Sequence, residues 1–191
     1  LAADPVTVTL SNTSFSLTRQ AVDVDADGSG AADLIGATLD SLAITLNGVA
    51  VDVDGVATLN LSGSIALARV TAAGGTAARY TALKMGTMTG TGTLDGAIDI
   101  DLTGTLTLSR LDYNGAATGF DRLNWAKAFD LDEDGQYDDV LVPGAGLSID
   151  FASSLQFALS GTASATLAAD PVTVTLSNTS FSLTRQAVDV D

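Results

Sequence analysis

Two short stretches of this chain carry carboxylates at the spacing a hard cation requires. The first is Asp23-Val-Asp25-Ala-Asp27-Gly28-Ser29, with Asp33 downstream. The second is Asp130-Leu-Asp132-Glu-Asp134-Gly135-Gln136, with Asp138 and Asp139 downstream. Carboxylates at positions 1, 3 and 5 converge when the backbone curls around an ion, glycine at 6 permits the sharp turn, and residue 7 offers its carbonyl oxygen. The candidate ligands are therefore Asp23, Asp25, Asp27, Ser29 and Asp33 in the first loop. In the second they are Asp130, Asp132, Asp134, Gln136, Asp138 and Asp139. An all-oxygen set of this kind suits Ca²⁺, whereas Mg²⁺ sheds its water reluctantly and asks for a tighter octahedron. A solvated Asp-Gly turn explains one such loop; two, each between ordered segments, favour cation binding.

Both stretches resemble the calcium loops of EF-hands, dockerins and integrin-type repeats. The resemblance covers about a dozen residues per loop. It departs from the EF-hand at position 12, where Leu34 and Leu141 stand in place of the glutamate. In the second loop Asp138 falls at position 9 and is followed by Val140-Leu141-Val142, as in the integrin-type pattern. In the first loop the next acid, Asp33, falls at position 11.

Composition removes several other chemistries. Histidine and cysteine are absent, which excludes Cys/His zinc sites, thiol nucleophiles and Ser-His-Asp arrangements. The net charge of −15 argues against nucleic acid and anionic membranes as partners. The acid is almost all aspartate, Glu133 being the one glutamate. Asp52 with Asp54, and Asp99 with Asp101, sit at i, i+2 in alternating runs and read as solvent faces of strands. Trp125, Phe120 and Phe129 are candidates for a sugar platform, but anchoring a core is the plainer reading. No apolar run is long enough for a membrane helix, so direct membrane insertion is not expected. Paired carboxylates alone do not mark an active site, and no catalytic residue or enzyme activity is expected.

The elements that must position these loops are strands. Alternating apolar residues run through Val6–Leu10, Ser14–Thr18 and Leu39–Val70, where Asn47-Gly48, Asp54-Gly55 and Ser62-Gly63 read as hairpin turns. Arg79–Met88 suits a strand or a helical turn. Alternation returns from Thr91 to Leu111 and again over Val140–Val142, Leu147–Phe151, Leu155–Leu159 and Ala163–Leu167. Between them Gly119–Phe129, with Leu123, Ala126 and Phe129 at helical spacing, reads as a short helix leading into the second loop. The expected class is all-β: an antiparallel sandwich-like or meander module with that one helix, or alternatively a β-solenoid.

Residues Leu1–Asp25 recur without a substitution as Leu167–Asp191. The chain thus reads as residues 1–166, one full repeat, followed by 167–191, the start of the next identical one. Starting at Leu1 and stopping inside an Asp loop, it reads as a window cut from a tandem array, with the 25-mer as a seam. Strands in Val172–Val188 are expected to complete the preceding unit, so neighbouring repeats, in one chain or several, are the expected partners. Near-identical repeats, Asp loops, missing cysteine and a Thr/Gly/Ala-rich β pattern together resemble the repeats of giant calcium-dependent bacterial adhesins and surface filaments. The resemblance implies an extracellular or cell-surface structural module stiffened by Ca²⁺. The alternative is a calcium-dependent adhesion domain that contacts glycan or a partner surface.

Overall fold

The computed structural model describes residues 2–3, 6–53, 56–94, 101–169 and 171–187. Leu1, Asp54-Gly55, Asp99, Val188 and Asp191, named above, lie outside them. The fold is all-β, with antiparallel pairing throughout and no helix among the described residues.

One large sheet dominates. Its strands are β1 (Ala2–Ala3), β2 (Val6–Leu10), β3 (Ser14–Val24), β4 (Leu34–Val53), β5 (Ala57–Thr71), β6 (Tyr80–Met85), β7 (Met88–Leu94), β8 (Asp101–Ala116), β11 (Leu155–Ala169) and β12 (Val172–Gln186). A separate hairpin joins β9 (Leu141–Gly144) to β10 (Leu147–Ile149). β2 and β3 lie end to end along β4, and β6 and β7 lie end to end between β5 and β8. β11 follows β8, and β12 forms the far edge.

The strands are longer than the turn signals suggest. β4 runs 20 residues straight through Asn47-Gly48, and β5 runs through Ser62-Gly63. Gly48, at φ 87°, is the extra residue of a bulge, because the β4–β5 register shifts between Asn47 and Val49. The positive φ that glycine allows serves a bulge as well as a turn.

One face of the sheet is floored with small side chains. Ala37, Ala43, Ala66, Ala68, Ala82 and Ala158 are all buried there. That leaves depth for a cap, residues 117–154, whose Leu123, Trp125, Phe129, Ile149 and Phe151 fill the space above the floor. The cap covers only part of this face. Beyond it the register aligns Thr58, Thr93, Thr103, Thr166 and Thr175 in one row, with the Thr58 and Thr93 hydroxyls 2.7 Å apart. Among the described residues nothing caps the opposite face: Leu59, Leu106, Tyr113 and Leu167 are between 40% and 48% exposed.

The helix expected over Gly119–Phe129 does not form. A turn closes from Asn124 to Lys127 (3.0 Å), and the Trp125 amide donates instead to Phe151 O at 2.8 Å. The indole Nε1 donates to Asn114 Oδ1 on β8 at 2.9 Å. Asn114 Nδ2 in turn donates to Leu123 O (3.0 Å) and Ala152 O (3.2 Å). So short a segment is a marginal helix without a packed face. Here burying Trp125, Ala128 and Phe129 together outweighs the lost helical bonds. Trp125 and Phe129 are fully buried with ring centroids 5.8 Å apart, which rules them out as a surface sugar platform. Phe120 is 47% exposed and lies under the Arg79 guanidinium.

Candidate metal centre

The first Asp loop connects β3 to β4; the second lies in the cap, just after the buried Phe129. Each folds around its first buried or half-buried aspartate. Asp25, only 4% exposed, accepts the amides of Gly28 (2.7 Å), Ser29 (3.1 Å) and Gly30 (2.8 Å). Asp130 likewise accepts those of Asp134 and Gly135, both at 3.0 Å. A downstream acid then reaches back over the loop. Asp33 accepts the amides of Ala26 (2.8 Å) and Asp27 (3.0 Å), and Asp139 those of Leu131 and Asp132.

These bonds equate Asp25 with Asp130, Asp27 with Asp132, Ser29 with Asp134, and Asp33 with Asp139. The backbone agrees: Gly28 and Glu133, the fourth residues, have φ 77° and 63°, and Gly30 and Gly135, the sixth, have φ 84° and 87°. In the first loop the frame therefore starts at Asp25, two residues later than the Asp23 start that the spacing suggests. Gly30 is the signal for it: Asp25-Ala-Asp27-Gly28-Ser29-Gly30 keeps oxygen donors at 1, 3 and 5 and glycine at 6.

Each loop gathers three carboxylates. Oxygens of Asp25, Asp27 and Asp33 lie within 4.8 Å of one another, and so do oxygens of Asp130, Asp132 and Asp139. Two ligands of one ion at about 2.4 Å can stand no more than about 4.8 Å apart, so both trios fit a single cation. Asp23 is elsewhere: its Oδ1 accepts the Gly36 amide at 2.7 Å. Asp134 accepts the Gln136 backbone amide (2.9 Å) and side-chain amide (3.3 Å), and exposed Asp138 lies outside its trio. Ser29 stands at the fifth position, where its amide donates to Asp25 and Asp27 and its side chain also hydrogen-bonds Asp27.

The loops are neighbours. Val24 and Phe129 form an antiparallel bridge, and the Asp25 amide donates to Ala128 O at 3.0 Å. Asp23 closes the arrangement from the strand side. A cleft lined by Asp23, Gly36, Asp130, Glu133 and Tyr137 separates β3 from the second loop. Partial burial, and then the negative fields of Asp23, Asp130 and Asp25, push the Tyr137 phenol above its ordinary range.

The carboxyls respond to their surroundings in opposite senses. Hydrogen bonds from the Ser29 side chain and then its amide hold Asp27 below the usual carboxylate range. At Asp132 the Asp134 amide also pulls downward, but desolvation and the charges of Asp134, Asp139 and Asp130 outweigh it and raise the carboxyl. The second loop thus confines more uncompensated negative charge, which a divalent ion would relieve. Asp52 is exposed on its strand, with no second described acid beside it in a trio. Comparison with known protein families, curated proteins and solved structures finds no match to this chain.

Proposed function

We propose that this chain is a structural repeat module of a long secreted or cell-surface bacterial fibre or adhesin, and that its Asp loops take Ca²⁺. The observation that carries the reading is the paired design: two loops of the same backbone course, each with three converging aspartates, joined by the Val24–Phe129 bridge. One loop ends the edge strand β3 and the other belongs to the cap. Loading both ties the edge of the sheet to the cap and discharges the aspartate field where it is densest. The role is mechanical rather than catalytic, with Ca²⁺ available at millimolar levels outside the cell. Calcium at 100 to 1,000 times Kd adds about 3–4 kcal/mol per site. Modules of this kind stack in tandem as antiparallel sheets in sandwich-like or meander fashion; long antiparallel strands support that over a solenoid of parallel coils.

Thermal unfolding in calcium and in EGTA, with titration calorimetry, tests the reading. Two sites and a raised melting temperature are expected, with Mg²⁺ a poorer substitute. An unchanged melting temperature with no heat of binding would sink it.

A further inference from the structure

The two copies of the repeated segment occupy opposite edges of one sheet. Residues 6–20 form β2 and the start of β3, and their duplicates 172–186 form β12. Both copies take the same course, kinking at a left-handed asparagine, Asn12 (φ 48°) and Asn178 (φ 44°). β4 and β11, their inner neighbours, each run antiparallel to them. Yet the two copies pair through opposite edges: the first carries a following strand, β4, and the second a preceding one, β11. Across the sheet the copies stand first and seventh, counting β2–β3 and β6–β7 as single staves, so they point the same way.

We propose that this segment is a shared strand, paired with β11 of one unit and with β4 of the next, so that successive copies form one uninterrupted sheet. The occupant of the outer edge of β12 is therefore the β4 edge of a second copy of this unit. This rests on the repeat-module reading above and specifies how its units join.

Three observations carry it. The first is a stretch where the strand already has both neighbours. Ala2–Ala3 pairs with Val6 and Thr7, whose other edge pairs with Val53 and Asp52. In the second copy the equivalent residues, Ala168 and Ala169, are the end of β11 and pair with Thr173 and Val172 in the same register. β1 is thus the last two residues of a preceding β11, and the segment accommodates it and β4 together.

The second is shape. Passing the Asn178 kink, β12 slips against β11, from Ala163 opposite Thr179 to Ala165 opposite Leu176. Against β4 the same kink causes no slip: Leu10 stays opposite Val49 and Ser14 opposite Thr45. The bulge at Asn47-Gly48 absorbs the extra residue, and Asn47 Nδ2 donates to Asn12 O at 3.2 Å. β4 is the edge shaped to this segment.

The third is charge. Arg19 on β3 grips Asp40 on β4 through Nε (2.6 Å) and a second guanidinium nitrogen (2.9 Å). Its duplicate Arg185, on the outer strand, makes no ion pair among the described residues. Asp40 of the next copy would stand opposite it. Edge strands left open in this way invite pairing, and here the partner's complement is built into the same sequence.

The test is a tandem chain, residues 1–166 followed directly by residues 1–191, which holds the segment three times. A conservative Thr179→Ser tag, at the position opposite Ala163 whose duplicate Thr13 lies between β2 and β3, separates the central copy from the terminal ones by mass. Hydrogen exchange is followed in calcium and in EGTA. A shared strand has its amides bonded on both sides, so the central copy should protect about twice as many amides as the terminal copies, each of which has one edge free along most of its length. Equal protection in central and terminal copies, or a tandem chain that loses its strand signal per repeat, overturns the proposal. The loops at 25–33 and 130–139 report separately: calcium protection absent there with a doubly protected centre would refute the cation reading and leave the shared strand standing.

Discussion

Gly28 and Glu133 make the same left-handed turn, φ 77° and 63°, at the fourth position of the two loops, although the residue types differ there. Nothing lies within 4 Å of where a Gly28 side chain would begin, so the conformation itself is the constraint there. An L-residue in this region costs about 1–2 kcal/mol, partly offset by the extra freedom glycine loses on folding. Glu133→Gly should therefore stabilise the protein by about 0.5–1 kcal/mol and Gly28→Ala destabilise it by about 1 kcal/mol. Paired denaturation curves in EGTA check both; equal effects of one sign would show that the two loops do not share a course.

The shared course also fixes which acids matter. Asp25→Asn removes a carboxylate that faces Asp27 and Asp33, so calorimetry should show the first site weakened at least tenfold. Asp23→Asn should leave that affinity within about twofold, since Asp23 holds Gly36 rather than the trio. The same contrast is expected between Asp139→Asn and Asp138→Asn in the second loop. Strong effects from Asp23 and Asp138 with weak ones from Asp25 and Asp139 would restore the frame read from spacing alone.

Proton and cation compete differently in the two loops. The Asp27 carboxyl is held low, so without metal it stabilises the fold above the unfolded carboxylate range and that contribution fades as pH falls through its folded value. Asp132 is held high, so ionising it opposes folding, and the metal-free protein recovers stability as pH falls through that raised value. In EGTA at pH 7, Asp132→Asn should leave stability unchanged or higher while Asp27→Asn lowers it. In calcium both should lose binding, the second site releasing its ion at the higher pH as acid is added. Melting temperatures from pH 7 down to 4, with and without calcium, would show the crossing.

The sequence makes the strand class and the two Asp loops legible because both rest on short-range regularities: alternation along a strand, and carboxylates two residues apart. What it hides depends on distant partners. Asn47-Gly48 satisfies the rules for a hairpin and for a bulge equally, and only the neighbouring kink at Asn12 selects the bulge. Asp23-Val-Asp25-Ala-Asp27-Gly28 and Asp25-Ala-Asp27-Gly28-Ser29-Gly30 are both acceptable loop frames. Asp33, reaching back to the amides of Ala26 and Asp27, decides between them. The segment before the second loop has helical spacing in Leu123, Ala126 and Phe129. Its backbone is claimed instead by Phe151 and its indole by Asn114, and both are far along the chain.

That claim is itself open to measurement, because Trp125 is the one tryptophan and reports on its own burial. Asn114 is fully buried and satisfies three groups: the Trp125 indole and the carbonyls of Leu123 and Ala152. Asn114→Leu removes all three bonds and strands their partners away from water, at about 1–3 kcal/mol for each group left unsatisfied, less whatever water recovers. A total loss of about 3 kcal/mol or more is expected. Trp125→Phe keeps an aromatic plug but forfeits the indole bond and some volume, for a loss of about 2–4 kcal/mol. Since Phe129 packs on Trp125 and leads directly into Asp130, Asn114→Leu should weaken calcium at the second loop more than at the first. Native Trp125 emission should move to longer wavelength in Asn114→Leu. Unchanged emission together with equal weakening of both sites would mean that the cap holds its loop by some other anchor.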